Sequence, residues 1–163
     1  MKTLFLLRHA KSDWTDESLP DFERPLNERG REACETISDF LKEENIQPEL
    51  IICSPAARAR ETIKIIMRTA QLQSALRFDE RIYEASLGRL MGLISQIENE
   101  AESALLVGHN PGFEQLVKAL SGRNETMPTA ALAKITLRAS NWSSVPAGGT
   151  LDWIVRPKEL AAS

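Results

Sequence analysis

Four side chains scattered along this chain could act together on one anion. Arg8 and His9 lie in LFLLRHAKSDW, Arg58 in CSPAARARET and His109 in VGHNP. Two guanidiniums can grip a tetrahedral oxyanion through several charge-assisted hydrogen bonds. A neutral imidazole among those cations can attack phosphorus and carry the phosphoryl group covalently. A second imidazole, when protonated, can stabilise charge building on the phosphoryl oxygens. The chemistry suggested is that of a phosphatase or a mutase, provided the fold gathers the four groups.

The elements around them favour such a gathering. Thr3 to Arg8 is short and continuously apolar, as expected of a strand covered on both faces. PELIICS and SALLVGHN read the same way, so RHA, CSPAAR and VGHN each follow a buried strand. A long polar loop follows the first strand. Asn27 then reads as an N-cap, and Ala33, Ile37, Phe40 and Leu41 recur at helical spacing up to about Glu44. PAARARETIKIIMRTAQL predicts a second helix with Pro55 in its first turn. ALRFDERIYEASLG predicts a short strand and an irregular stretch, and RLMGLISQIENE a helix weakened at Gly92. PGFEQLVKALSG predicts a helix opened by Pro111 and closed by Gly122. ALAKITLRAS and GGTLDWIVRPK predict two last strands, the second after a Gly-Gly turn.

Strands alternating with helices argue for an α/β fold. The expectation is a single three-layer domain over residues 1–163, with a mainly parallel central sheet and helices on both faces. The last two strands have no helix between them, so one edge should be antiparallel. Ligands of such sheets bind beyond the carboxyl ends of the strands. All three basic strand ends can therefore face one crevice.

Composition removes other classes. The 163 residues can bury a core; 42% are hydrophobic and 26% charged, as in ordinary globular chains. A net charge of -3 gives no broadly basic surface, which argues against a nucleic-acid partner. No stretch reaches the roughly 18 apolar residues of a membrane span, and the N-terminus lacks signal-peptide features. Cys34 and Cys53 form no disulfide or metal framework. Two histidines and no CxxC leave a zinc site improbable. The expectation is a cytoplasmic monomer with reduced thiols, no metal and no cofactor.

The motifs also carry a resemblance. LLRHAKS, SPAARARET and VGHNP resemble the three signatures of the histidine phosphatase superfamily, which includes the phosphoglycerate mutases. The family's Arg-His-Gly stands here as Arg8, His9 and Ala10. Its Ser-x-x-x-Arg-Ala-x-x-Thr helix start stands as Ser54, Arg58, Ala59 and Thr62, and its Gly-His as Gly108 and His109. Short size, RHAKSDW and RPLNERG resemble the compact SixA-like branch, whose known members remove phosphate from phosphohistidine.

The resemblance implies that His9 is the nucleophile. It also implies that Arg8, Arg58 and His109 bind and stabilise the phosphoryl group. Ser12 and Asn110 are candidates for further phosphate contacts. Ala10 replaces the usual glycine, which bears on how closely the loop approaches phosphate. The implied general acid is Glu84 in IYEAS, with Asp13 and Asp16 as alternatives. The implied partner is a phosphorylated protein carrying phosphohistidine.

Rival readings are a small-molecule phosphomonoesterase of the same superfamily, a mutase, and a non-catalytic phosphoprotein-binding module. The chain is short for a mutase's substrate-enclosing insertions. No long insertion lies between Ile82 and Glu102, which favours an open site. CSPAAR superficially resembles a cysteine-phosphatase loop. Its spacing to Arg58 or Arg60 is wrong and it has no glycine, so Cys53 reads as a buried strand residue. Arg24 and Arg29 read as loop and cap supports, and Trp14, Trp142 and Trp153 as packing or rim residues.

Overall fold

The computed structural model describes residues 1–145 and 148–161. The elements run β1 (Lys2–Arg8), α1 (Glu28–Glu43), β2 (Leu50–Cys53), α2 (Ala57–Thr69), β3 (Ala75–Phe78), α3 (Leu87–Ser95), β4 (Ser103–Gly108), α4 (Gly112–Ser121), β5 (Leu132–Leu137), β6 (Gly149–Val155) and α5 (Pro157–Ala161). The sheet order is β3-β2-β4-β1-β5-β6. The first four strands in that order are mutually parallel, and β5 and β6 form the antiparallel edge.

The continuous apolar run of β1 is explained by its two faces. Leu4 and Leu6 join a core built with Leu90, Leu93, Leu116 and Val117, under α3 and α4. Phe5 and Leu7 join a second core with Cys34, Ile37, Ile63 and Ile66, under α1 and α2. Period-two side-chain alternation sends neighbours to opposite cores, so neither face can be polar. Fully burying one such side chain contributes about 1.5–3 kcal/mol.

Register places the site. Arg8 pairs with Gly108 across β1 and β4, and Cys53 with Val107 across β2 and β4. The backbone N–H of His9 donates to the Gly108 carbonyl at 3.0 Å, and that of Ser54 to the Val107 carbonyl at 2.9 Å. Parallel strands ending in step thus deliver His9, Ser54 and His109 to one edge.

Asn27 caps α1 as expected, its Oδ1 accepting from the Gly30 N–H at 2.8 Å. Gly122 ends α4 with φ +75°, a left-handed cap that suits glycine. Several boundaries differ from expectation, among them α3, which ends at Ser95 and does not run through RLMGLISQIENE, and α2, which ends at Thr69. Pro55 stands before the Ala56 N-cap of α2 rather than inside its first turn. Gly149 opens β6 instead of lying in the turn, and residues 146 and 147 of that turn lie outside the described residues. The short α5, unexpected from sequence, packs Leu160 onto the α1 side of the sheet.

Candidate active site

His9 leaves β1 buried, with 6% exposure. Its Nδ1 lies 2.7 Å from the Ala10 carbonyl oxygen, which can only accept, so Nδ1 carries the proton. The other nitrogen gives the same answer. Arg58 Nε donates to His9 Nε2 at 3.3 Å, and a guanidinium can only donate, so Nε2 holds a lone pair. Both neighbours select one tautomer, with the lone pair on Nε2.

Arg58 stands in the first turn of α2 and spreads its donors over the site. Nη2 lies 3.5 Å from His109 Nδ1 and 3.0 Å from Asp21 Oδ2, while Nη1 donates to the Asp21 carbonyl at 2.8 Å. Tyr83 Oη donates to the same Asp21 oxygen at 2.7 Å, and its ring stands edge-on to His109. With Nδ1 facing a donor, His109 keeps its proton on Nε2, which donates to Ser54 Oγ at 2.7 Å. The two imidazole centroids are 5.1 Å apart.

Arg8 approaches from β1. Its Nη1 donates to the Met127 carbonyl at 3.1 Å. Its Nε is buried with no hydrogen-bond partner among the described residues, as are the Nε atoms of Arg24 and Arg60. Arg8, His9, Lys11, Ser12, Trp14, Arg58, His109, Asn110 and Thr129 line one pocket of about 340 Å³. Six of the expected site residues thus meet there.

Asn110 lines it with its amide already occupied. Both Nδ2 hydrogens are taken, by Glu114 Oε2 at 2.9 Å and by the Met127 carbonyl at 2.8 Å. It fixes the loop that holds Arg8 instead of offering a free donor. Ser12 Oγ accepts from Trp14 Nε1 at 3.0 Å.

The expected acids do not join this pocket. Glu84 is exposed, adopts φ +52°, and lines a neighbouring groove with Phe22, Pro55, Glu80, Arg81, Tyr83 and Arg89. Asp13 and Asp16 each accept from the side chain and backbone of a nearby Thr15 or Ser18. Those bonds hold both carboxyls below their ordinary values. Asp21 is the carboxylate that touches Arg58. Burial pushes its carboxyl upward, but the bonds from Tyr83 and Arg58 outweigh this and hold it low. Among the described residues, no three His, Cys, Asp or Glu side chains are grouped to hold a metal.

Support comes from close backbone contact. The Ala10 N–H donates to Thr62 Oγ1 at 3.0 Å, and that hydroxyl donates to the Arg58 carbonyl at 2.7 Å. The family-motif threonine thereby ties the loop after His9 to α2. Ala10 is fully buried and is not among the positive-φ residues, so its backbone does not require the glycine it replaces. A Cβ on Gly30 would collide with the Lys11 carbonyl, which explains glycine in NERG. Cys53 is buried and burial raises its thiol further, removing it as a nucleophile at neutral pH.

Burial, with the charges of Arg58 and Arg8, lowers His9 to about 4. Burial, then His9 and Arg58, lowers His109 to about 3. The protonated His109 considered from sequence is therefore not the resting form. Both shifts lie below the ordinary value of 6.5. The unfolded chain then binds more protons than the native one below that value, so stability is lost as the pH falls. The urea midpoint should drop steadily from pH 6.5 toward 4, and less steeply in His109→Gln. Equal slopes in both proteins would contradict the shift at His109.

Known proteins place this geometry. The model of the histidine phosphatase superfamily, branch 1, matches residues 4–141. The chain is 27% identical over 162 residues to phosphohistidine phosphatase SixA of Escherichia coli K12, covering 96% of this chain and 95% of that protein. A protein of Agrobacterium tumefaciens assigned as a phosphohistidine phosphatase, SixA, superposes with TM-score 0.83 at 30% identity, over 96% of this chain and 98% of that one. The protein histidine phosphatase SixA complexed with tungstate shares the fold, with TM-score 0.83 at 24% identity over 97% of this chain and 99% of that one. The matched region contains all three strand ends that converge on the pocket, and on these findings the chain belongs to the histidine phosphatase superfamily, in its SixA-like branch, and is a phosphatase.

Proposed function

We propose that this phosphatase works without a metal through a phosphohistidine intermediate on His9, and that its substrate is phosphohistidine on a partner protein. The observation that carries the reading is the locked tautomer of His9, whose Nε2 lone pair faces Arg58 beside Arg8 and His109. A phosphoryl oxygen entering the pocket takes the Arg58 Nε–H away from Nε2. The freed lone pair forms the new P–N bond as the bond to the leaving group breaks. Arg8 and Arg58 then hold the transferring oxygens. On the phosphorylated enzyme, the Ala10 carbonyl keeps the Nδ1 proton in place. His9 can thus leave as a neutral imidazole when water attacks phosphorus.

The carboxylates support the choice of leaving group. Glu84 lies outside the pocket, while Asp13, Asp16 and Asp21 all hold protons poorly. A phosphorylated imidazole with a protonated ring leaves without an acid, whereas an alkoxide needs one. A pocket whose lining has no carboxylate among the described residues suits an N-phosphoryl substrate, and the SixA relatives named as phosphohistidine phosphatases support the same choice.

The test is a turnover panel of phosphohistidine peptides, phosphoserine peptides and small phosphate esters, run with a chelator present. The expected result is kcat/KM at least about a hundredfold higher for phosphohistidine. Comparable or faster turnover of a small alkyl ester would favour the small-molecule phosphomonoesterase reading. Glu84→Gln should change phosphohistidine turnover by less than about twofold. A loss of about a hundredfold or more would restore Glu84 as the acid.

A further inference from the structure

Among the described residues, the exposed large hydrophobic side chains are Met1, Trp14 and Phe78. Met1 is the chain end and Phe78 closes the edge strand β3. Trp14 is different, since it is 60% exposed and lines the same pocket as Arg8, His9, Arg58 and His109. An exposed tryptophan alone is unremarkable in a folded protein. This one is built in place.

Its Nε1 donates to Ser12 Oγ at 3.0 Å, which fixes the ring's rotation. The Arg24 guanidinium carbon lies 3.8 Å from the ring centroid, covering one face. Arg24 is itself buried, with 6% exposure, and Nη1 donates to the Asp16 carbonyl at 3.1 Å. The backbone is tied as well, with Asp13 N–H donating to the Pro25 carbonyl at 2.8 Å and Ser12 bridging Leu26. The indole is thus backed by a buried cation on one face and open on the other. A phosphoryl group of five heavy atoms fills only part of the 340 Å³ pocket, leaving room at the rim for a ring.

We propose that Trp14 is the subsite for the leaving group, a rigid platform on which a planar aromatic or heteroaromatic ring stacks while its phosphoryl group lies at His9. The inference rests on the phosphatase reading of this pocket and names the leaving-group class that it prefers. An offset-stacked ring on a fixed indole favours planar leaving groups by about five- to tenfold. A flexible alkyl chain gains much less from the same surface.

The test compares phenylphosphonate with methylphosphonate as inhibitors, and an aryl with an alkyl phosphate as substrates. In Trp14→Ala, the Ki for phenylphosphonate and the KM for the aryl ester should rise about five- to tenfold, and the methyl and alkyl values by no more than about twofold. Trp14→Phe loses the Ser12 hydrogen bond but keeps a ring, so it should retain most of the discrimination. Equal changes for planar and alkyl compounds, or none for either, would overturn the platform. So would Trp14→Phe behaving like Trp14→Ala, which would transfer the effect to the Ser12 bond. Wild-type turnover of a phosphohistidine peptide keeps the phosphatase reading intact in each case; its absence, together with no turnover of either ester, would count against that reading itself.

Discussion

His9→Ala should lower kcat by about four orders of magnitude or more, the scale expected when an enzyme loses its nucleophile. The loss should appear with every substrate, because the proposed P–N bond to Nε2 precedes release of any leaving group. The variant should still fold. His9 lies past the end of β1, and the sheet register is set by backbone bonds that alanine retains, including the His9 N–H to the Gly108 carbonyl. A cooperative thermal transition together with loss of turnover would match this expectation. Residual turnover within tenfold of wild type would remove His9 from the covalent role.

Arg58→Ala should cost about a thousandfold in kcat/KM and should also move the pH profile. Arg58 reaches both imidazoles and the Asp21 carboxylate, so its loss removes a phosphoryl donor and releases three groups at once. Its charge lowers both His9 and His109, so each should become easier to protonate without it. The acidic limb of kcat/KM, expected near 4 if His9 sets it in the wild type, should therefore move upward. Arg58→Lys should recover little, since a lysine cannot span Asp21, His9 and His109 with a planar fork. A profile that loses height without moving would mean that Arg58 only binds phosphate.

The strand ends and the four basic groups were legible because they sit where pattern is strongest. A run such as LFLLRH marks both a buried strand and its end, and parallel strands in register bring successive ends together. The tautomer of His9 was not legible, since it depends on a carbonyl and a guanidinium far apart in the chain. Asp21 was missed for a related reason. It lies in a long loop, 37 residues from Arg58, where no periodicity reports side-chain direction. Glu84 was placed correctly before α3, but its positive φ and exposed side chain direct it into the neighbouring groove. Trp14 was legible only as a packing or rim residue. Its support by Arg24 arises only when the two ends of the loop are bridged at Ser12 and Leu26.

The covalent intermediate is the centre of this account, and trapping it is the most direct measurement. Wild-type protein mixed with radiolabelled substrate and quenched rapidly in alkali should retain protein-bound phosphate that is stable to base and lost in acid. Peptide mass mapping should place it on His9, and His9→Ala should carry none. Turnover without any trapped label, or label mapped to Cys53 or to an aspartate, would contradict the account.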